Sequence, residues 1–97
     1  MRRYKLIADL FCQHGIDTCF ALLGDANMHW AGAMYERGVK FIYTRHEHAA
    51  VAAAAAYTRS SRKISCASVT CGPGLTQIMT ILPIAVRANI PIVIFAG

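Results

Sequence analysis

No stretch of this 97-residue chain approaches the about 20 uninterrupted apolar positions that a membrane-crossing helix needs. The nearest candidate, Ala49 to Tyr57, is short and mostly alanine. Behind the basic start Met1-Arg2-Arg3, Lys5 and Asp9 interrupt any run of the kind a secretory leader carries, so a soluble, cytoplasmic protein with no membrane partner is expected. Linkers, repeats and low-complexity tracts are missing apart from the alanine run, which suits one domain or part of one. The cysteine spacings, six residues between Cys12 and Cys19 and four between Cys66 and Cys71, match no ordinary zinc knuckle. His46 and His48 flank Glu47, but side chains two apart on a helix diverge, so no metal site is expected on this chain. No glycine-flanked elbow surrounds any serine or cysteine, which leaves no nucleophile of that kind. Finally, no carboxylate follows Glu47. Gly72-Pro73-Gly74 therefore lacks the ribose-binding acid of a dinucleotide fingerprint, and Gln77 stands where its third glycine should be. The ending of a phosphate-binding P-loop is missing too.

What is present is basic and apolar. Lys and Arg number 10 against five Asp and Glu, for a net charge of +5. The basic residues are scattered from Arg2 to Arg87, and the tightest group, Arg59, Arg62 and Lys63, falls at a helix end that favours cations anyway. A solvated surface explains them, and no nucleic-acid partner is expected. Hydrophobic residues make up 56% of the chain, above the roughly 45–50% usual for soluble proteins. A domain this small hides only about 60–65% of its unfolded surface. Some apolar surface is therefore expected to meet another domain or subunit. The four cysteines lie in apolar stretches and read as reduced thiols acting as small hydrophobes.

Periodicity alternates between two patterns. Tyr4 to Gln13 places Leu6, Ile7, Leu10 and Phe11 on one helical face, and Gly15 stops it. Thr18 to Leu23 reads as a buried strand, Gly24-Asp25-Ala26-Asn27 as a turn and cap, and a helix follows to Arg37. Val39 to Thr44 is a second strand, Glu47 to Arg59 a helix, and Ile64 to Thr70 a third strand. Leu75 to Ala88 has helical composition with a kink expected at Pro83, and Pro91 to Ala96 is a fourth strand. This rhythm predicts an α/β fold: three layers, α/β/α, with a parallel sheet, crossover helices and strands apolar on both faces. Its strands end along one edge, where open parallel sheets bind ligands. Three loops fall there: Gly24 to Asn27, Arg45 to His48, and Cys71 to Leu75. The chain reaches Gly97 as the fourth strand ends, an unusual finish for a complete doubly wound domain, so residues 1–97 are expected to be the first part of one.

Glu47 is the most informative residue of those loops. A carboxylate at a helix N-terminus is stabilised by the dipole alone. The alanine-rich helix behind it and the flanking strands nevertheless predict an enclosed group, and an enclosed carboxylate can hold or pass a proton near neutrality. Asp25 is expected to be either a second acid–base group or a helix cap.

Three segments, in order, resemble the pyrimidine-binding domain of thiamine-diphosphate enzymes such as acetolactate synthase, benzoylformate decarboxylase and pyruvate decarboxylase. They are Leu23-Gly24-Asp25-Ala26-Asn27, Arg45-His46-Glu47-His48-Ala49-Ala50 and Val69-Thr70-Cys71-Gly72-Pro73-Gly74. The closing Ile90 to Gly97 is similar to that family's fourth strand. The resemblance implies that Glu47 bonds N1′ of the cofactor's aminopyrimidine, favouring the imino tautomer whose 4′ nitrogen removes the thiazolium C2 proton before attack on a 2-oxo acid. It implies that Asp25 handles a proton during decarboxylation, and that Leu23, Gly24, Thr70, Pro73 and Gln77 line the pyrimidine side. Gln77 departs from the asparagine common in relatives, and Pro83 from a helix that normally continues.

The resemblance also implies that Mg²⁺ and the diphosphate are held elsewhere, by a diphosphate-binding domain of a partner subunit in a homodimer or homotetramer. Alone, these residues are expected neither to bind the cofactor tightly nor to turn over substrate. Two alternatives stand beside the enzyme. One is a non-catalytic binding or assembly module with the same fold. The other is a flavodoxin-like nucleotide or flavin binder, whose phosphate Asp25 would repel.

Overall fold

A computed structural model describes residues 2–97. Its elements run α1 (Arg3–Gln13), β1 (Thr18–Ala21), α2 (Met28–Glu36), β2 (Lys40–Tyr43), α3 (Glu47–Ser61), β3 (Ser65–Val69), α4 (Pro73–Thr76), α5 (Leu82–Arg87) and β4 (Ile92–Ala96). The four strands form one sheet in the order β2-β1-β3-β4, and every pair is parallel. From β1 the chain steps outward to β2, then crosses back to place β3 on β1's other side. The order thus reverses between β1 and β3, and the loops leaving those strands border one crevice.

Side-chain alternation along the strands divides the core in two. Cys19 and Ala21 of β1, Cys66 of β3, and Val93 and Phe95 of β4 pack with α1 and α2. Phe20, Ala67, Val69, Ile92 and Ile94 pack on the other face with α3 and with Ile78, Ile81 and Leu82. These are the expected three layers. On the first face Trp30, only 1% exposed, stacks on Phe95 at 4.2 Å and meets Phe11 edge-on at 5.6 Å. On the second, Ala50, Val51, Ala54 and Ala55 of α3 are buried. Short side chains there let α3 lie close on β1 and β3. The start of β3 is tied to the same helix by a buried relay: the Ser65 hydroxyl donates to the Ala54 carbonyl at 2.8 Å and accepts from Thr58 at 2.7 Å.

Several details differ from the periodicity reading. In α1 the inward face carries Tyr4, Ile7, Ala8 and Phe11, whereas Leu6 and Leu10 are about half exposed. β2 is an edge strand with Lys40, Ile42 and Tyr43 exposed, so only the inner strands are covered on both faces. The helix expected from Leu75 to Ala88 is two short helices, with turns between Thr76 and Leu82. Proline is the cause. Pro83 has no N–H to offer the Met79 carbonyl and its ring crowds that group, so the helix restarts with Pro83 in its first turn, where no donor is needed.

All four cysteines are free. Cys19 and Cys66 are register partners on neighbouring strands, and both are fully buried. The facing Cys66 thiol, and then burial, push the Cys19 thiol upward from its ordinary range. Because thiolate is the reactive form, alkylation of the native protein with iodoacetamide should spare Cys19 and Cys66 until the protein is unfolded. Mass mapping of the modified cysteines checks this. Early modification of either would contradict their placement inside the sheet.

Candidate functional site

The C-terminal edge of the sheet gathers the three loops. After β1, the chain passes through Leu23 and Gly24 into a turn whose Asn27 and Met28 amides donate to the Gly24 carbonyl at 3.3 and 3.1 Å. Asn27 occupies the position before α2, and Asp25 lies two residues earlier with its side chain exposed. Asp25 is thus not the helix cap. After β2, His46 takes that role for α3, its Nδ1 accepting from the His48 amide at 3.0 Å. That bond fixes where α3 begins, and Glu47 is its first residue. After β3, Thr70 leads into the turn that opens α4 at Pro73.

Thr70 is where these loops meet. A Cβ placed on Gly24 would lie 2.6 Å from Thr70 Cγ2, closer than real Cβ atoms come to their neighbours. On Gly74 a Cβ would lie 2.6 Å from Thr70 Oγ1 and 3.4 Å from Glu47 Oε2. The threonine side chain is therefore held between two backbones that only glycine lets approach, and the Glu47 carboxylate lies against the second. Gly24, Thr70, Gly74 and Glu47 form one contiguous row across the switch point.

Glu47 is half-buried and not enclosed. The expectation of an enclosed carboxylate fails because β2, which leads into α3, is an exposed edge strand with nothing packed outside it. Neither ion pair among the described residues, Arg37–Asp9 or Lys63–Asp17, involves Glu47. Its carboxylate faces the rim beside the Gly74 turn and is open to a ligand. Of the other expected site residues, Gly24 and Thr70 join this row. Leu23 packs partly against the α1–α2 core, and Pro73 and Gln77 are exposed in α4 and just after it. Gly74 entered the sequence reading only as part of the Gly72-Pro73-Gly74 turn and not as a site residue. Its signal was the glycine at the second helical position after Pro73, a site where a side chain is ordinarily tolerated.

The family described as "Thiamine pyrophosphate enzyme, N-terminal TPP binding domain" matches residues 1–97. The chain belongs to that family. Among curated relatives of this thiamine pyrophosphate enzyme segment, the acetolactate synthase isozyme 2 large subunit of Escherichia coli is 37% identical over 83 residues, covering 86% of the chain. The 2-hydroxyacyl-CoA lyase 2 of Xenopus laevis is 38% identical over 93 residues, covering 96%. Among solved structures, benzoylformate decarboxylase from Polynucleobacter necessarius superposes on the whole chain with a TM-score of 0.87 at 26% identity. The segment spans 15% and 14% of the two relatives' lengths, and 18% of the solved chain. Membership of this family displaces the flavodoxin-like alternative.

The residues at the rim fit the family's cofactor. A carboxyl group without an ion-pair partner can bond a ring nitrogen, and Glu47 presents one at the rim beside the Gly74 turn. Among the described residues no group of three or more metal-ligating side chains is gathered, and no helix is long and apolar enough to cross a membrane.

Proposed function

We propose that this segment is the pyrimidine-holding half of a thiamine diphosphate site, in a longer enzyme that decarboxylates or ligates 2-oxo acids. The observation that carries the reading is the Glu47 carboxylate beside the Gly74 turn, next to Thr70 and Gly24 at the switch point of the sheet. In this reading residues 1–97 are part of a longer domain.

Each residue then has a task. Glu47 bonds N1′ of the aminopyrimidine and holds or releases a proton there. Leu23, Gly24, Thr70, Pro73 and Gln77 border the ring, with Thr70 keeping the Gly24 and Gly74 backbones at fixed separation. Asp25, exposed in the neighbouring turn, serves as a second acid–base group toward the substrate. When bound, thiamine diphosphate supplies the carbon nucleophile and the electron sink that the polypeptide lacks.

A diphosphate-binding domain of a partner subunit, in a homodimer or homotetramer, completes the site and brings the Mg²⁺ ligands. Two observations support an outside partner: the half-buried state of Glu47, and the exposed apolar side chains of Tyr43, Met79, Ile84 and Val86. Covering Glu47 would strengthen its bond to the ring by removing water. The scattered positive charge gives nucleic acid no continuous surface, and the enzyme is assigned to the cytoplasm.

Calorimetric titration of the full-length protein with thiamine diphosphate tests the proposal. Saturable, Mg²⁺-dependent binding is expected, and full-length protein that takes up none would overturn it.

A further inference from the structure

Asn27 is fully buried, among the largest side chains in the molecule with no exposure, yet it caps no helix. Its amide instead ties the loop after β1 to β3. Oδ1 accepts from the Gly24 amide at 2.8 Å. Nδ2 donates to the Leu22 carbonyl at 3.3 Å and to Ser68 Oγ at 2.8 Å. Ser68, buried in β3, donates in turn to the Phe95 carbonyl of β4 at 2.9 Å.

The partners fix the direction of every bond. A backbone amide can only donate, so the atom facing Gly24 is the oxygen. The Leu22 carbonyl can only accept, so the atom facing it is the nitrogen. Ser68 has one proton, and the Phe95 carbonyl takes it, so its oxygen is free to accept from Asn27. No other side chain of this size offers one acceptor and two donors in that arrangement. Aspartate keeps the shape but sets an oxygen against the Leu22 carbonyl. It also leaves the single Ser68 proton to serve either the new carboxylate or the Phe95 carbonyl, in a place where water cannot compensate.

We infer that Asn27 is a positioning residue of the cofactor site: it sets the Leu22–Asp25 loop against Thr70 by fixing the Gly24 amide to β3 and, through Ser68, to β4. The inference rests on the proposed function for what the loop contacts, but not for the linkage itself. Gly24 is the residue that meets Thr70, so a shift of its backbone is transmitted to the row that ends at Glu47.

The experiment uses the full-length protein with Asn27→Asp, the milder Ser68→Ala, and Ser65→Ala as a control. Ser65 belongs to a similar buried relay, but at the start of β3, at the other end of the sheet. Hydrogen–deuterium exchange of the peptide spanning residues 22–25 is read first, without cofactor. Faster exchange is expected in Asn27→Asp and Ser68→Ala and not in Ser65→Ala. Equal exchange in all three would overturn the linkage, whatever the protein binds. Thiamine diphosphate affinity is read second, well below each variant's melting temperature. Weakening of about tenfold is expected in Ser68→Ala, the size of one lost buried hydrogen bond, with Ser65→Ala unchanged. Equal losses in both serine variants would make the role one of general stability and sink the positioning claim. Failure of the unaltered protein to bind would instead overturn the functional reading, while the exchange result would still decide the linkage.

Discussion

Replacing Glu47 by glutamine in the full-length protein is expected to slow proton exchange at C2 of bound thiamine diphosphate by about a hundred- to ten-thousandfold, the range for loss of one acid–base group. The fold should survive. Glu47 is the first residue of α3, half-buried, and joins neither of the ion pairs among the described residues. Its structural value is that of a charge at a helix N-terminus, about 0.3–1 kcal/mol. Glutamine keeps the length of the side chain and one hydrogen bond but cannot exchange a proton with a ring nitrogen. Stability and chemistry should therefore separate: a melting temperature near that of the parent, and exchange almost abolished. Deuterium incorporation at C2, followed by NMR after acid quenching, is the measurement. Exchange at the parent rate in a variant that still binds cofactor would remove Glu47 from the mechanism.

The second large effect concerns packing. Gly24→Ala should destabilise the protein by about 1–3 kcal/mol, the usual cost of forcing an extra methyl into filled space. Its Cβ would lie 2.6 Å from Thr70 Cγ2. Thr70 has little room to yield, because its hydroxyl is already confined by Gly74 on the opposite side. Thr70→Ser deletes the offending methyl and leaves the hydroxyl. Placed in the Gly24→Ala background, it should recover much of the loss, so the two substitutions should be strongly non-additive. Denaturation midpoints of the parent, both single variants and the double variant complete the cycle. Simple additivity would mean that Gly24 and Thr70 do not touch, and the row at the rim would be broken.

Much of the fold was legible before any coordinates, because its signals are local. The unbroken apolar runs of Phe20 to Leu23 and Ile92 to Phe95, and the apolar period near four in α1, come from neighbours within one pleat or one turn. Errors arose where a distant element decided the outcome. Leu6 and Leu10 read as inward from spacing alone, but the placement of α2 and β4 determines which side of α1 is covered. The apolar Ile42 and Tyr43 read as covered on both faces, whereas the strand order leaves β2 at an edge. Pro83 was visible, and only its severity was misjudged: a break in place of a kink.

The candidate site divides the same way. Residue types and their order along the chain determined the family, the three rim loops and the choice of Glu47, since each motif is a short run with its own chemistry. Tertiary structure alone decided that Thr70 stands between Gly24 and Gly74, that Glu47 stays half open, and that Asn27 bonds Ser68 across 41 positions of sequence. The physical reason is the crossover from β2 past β1 that places β3 on β1's other side. That step brings loops from separate crossovers into contact, and no period within any one of them records it.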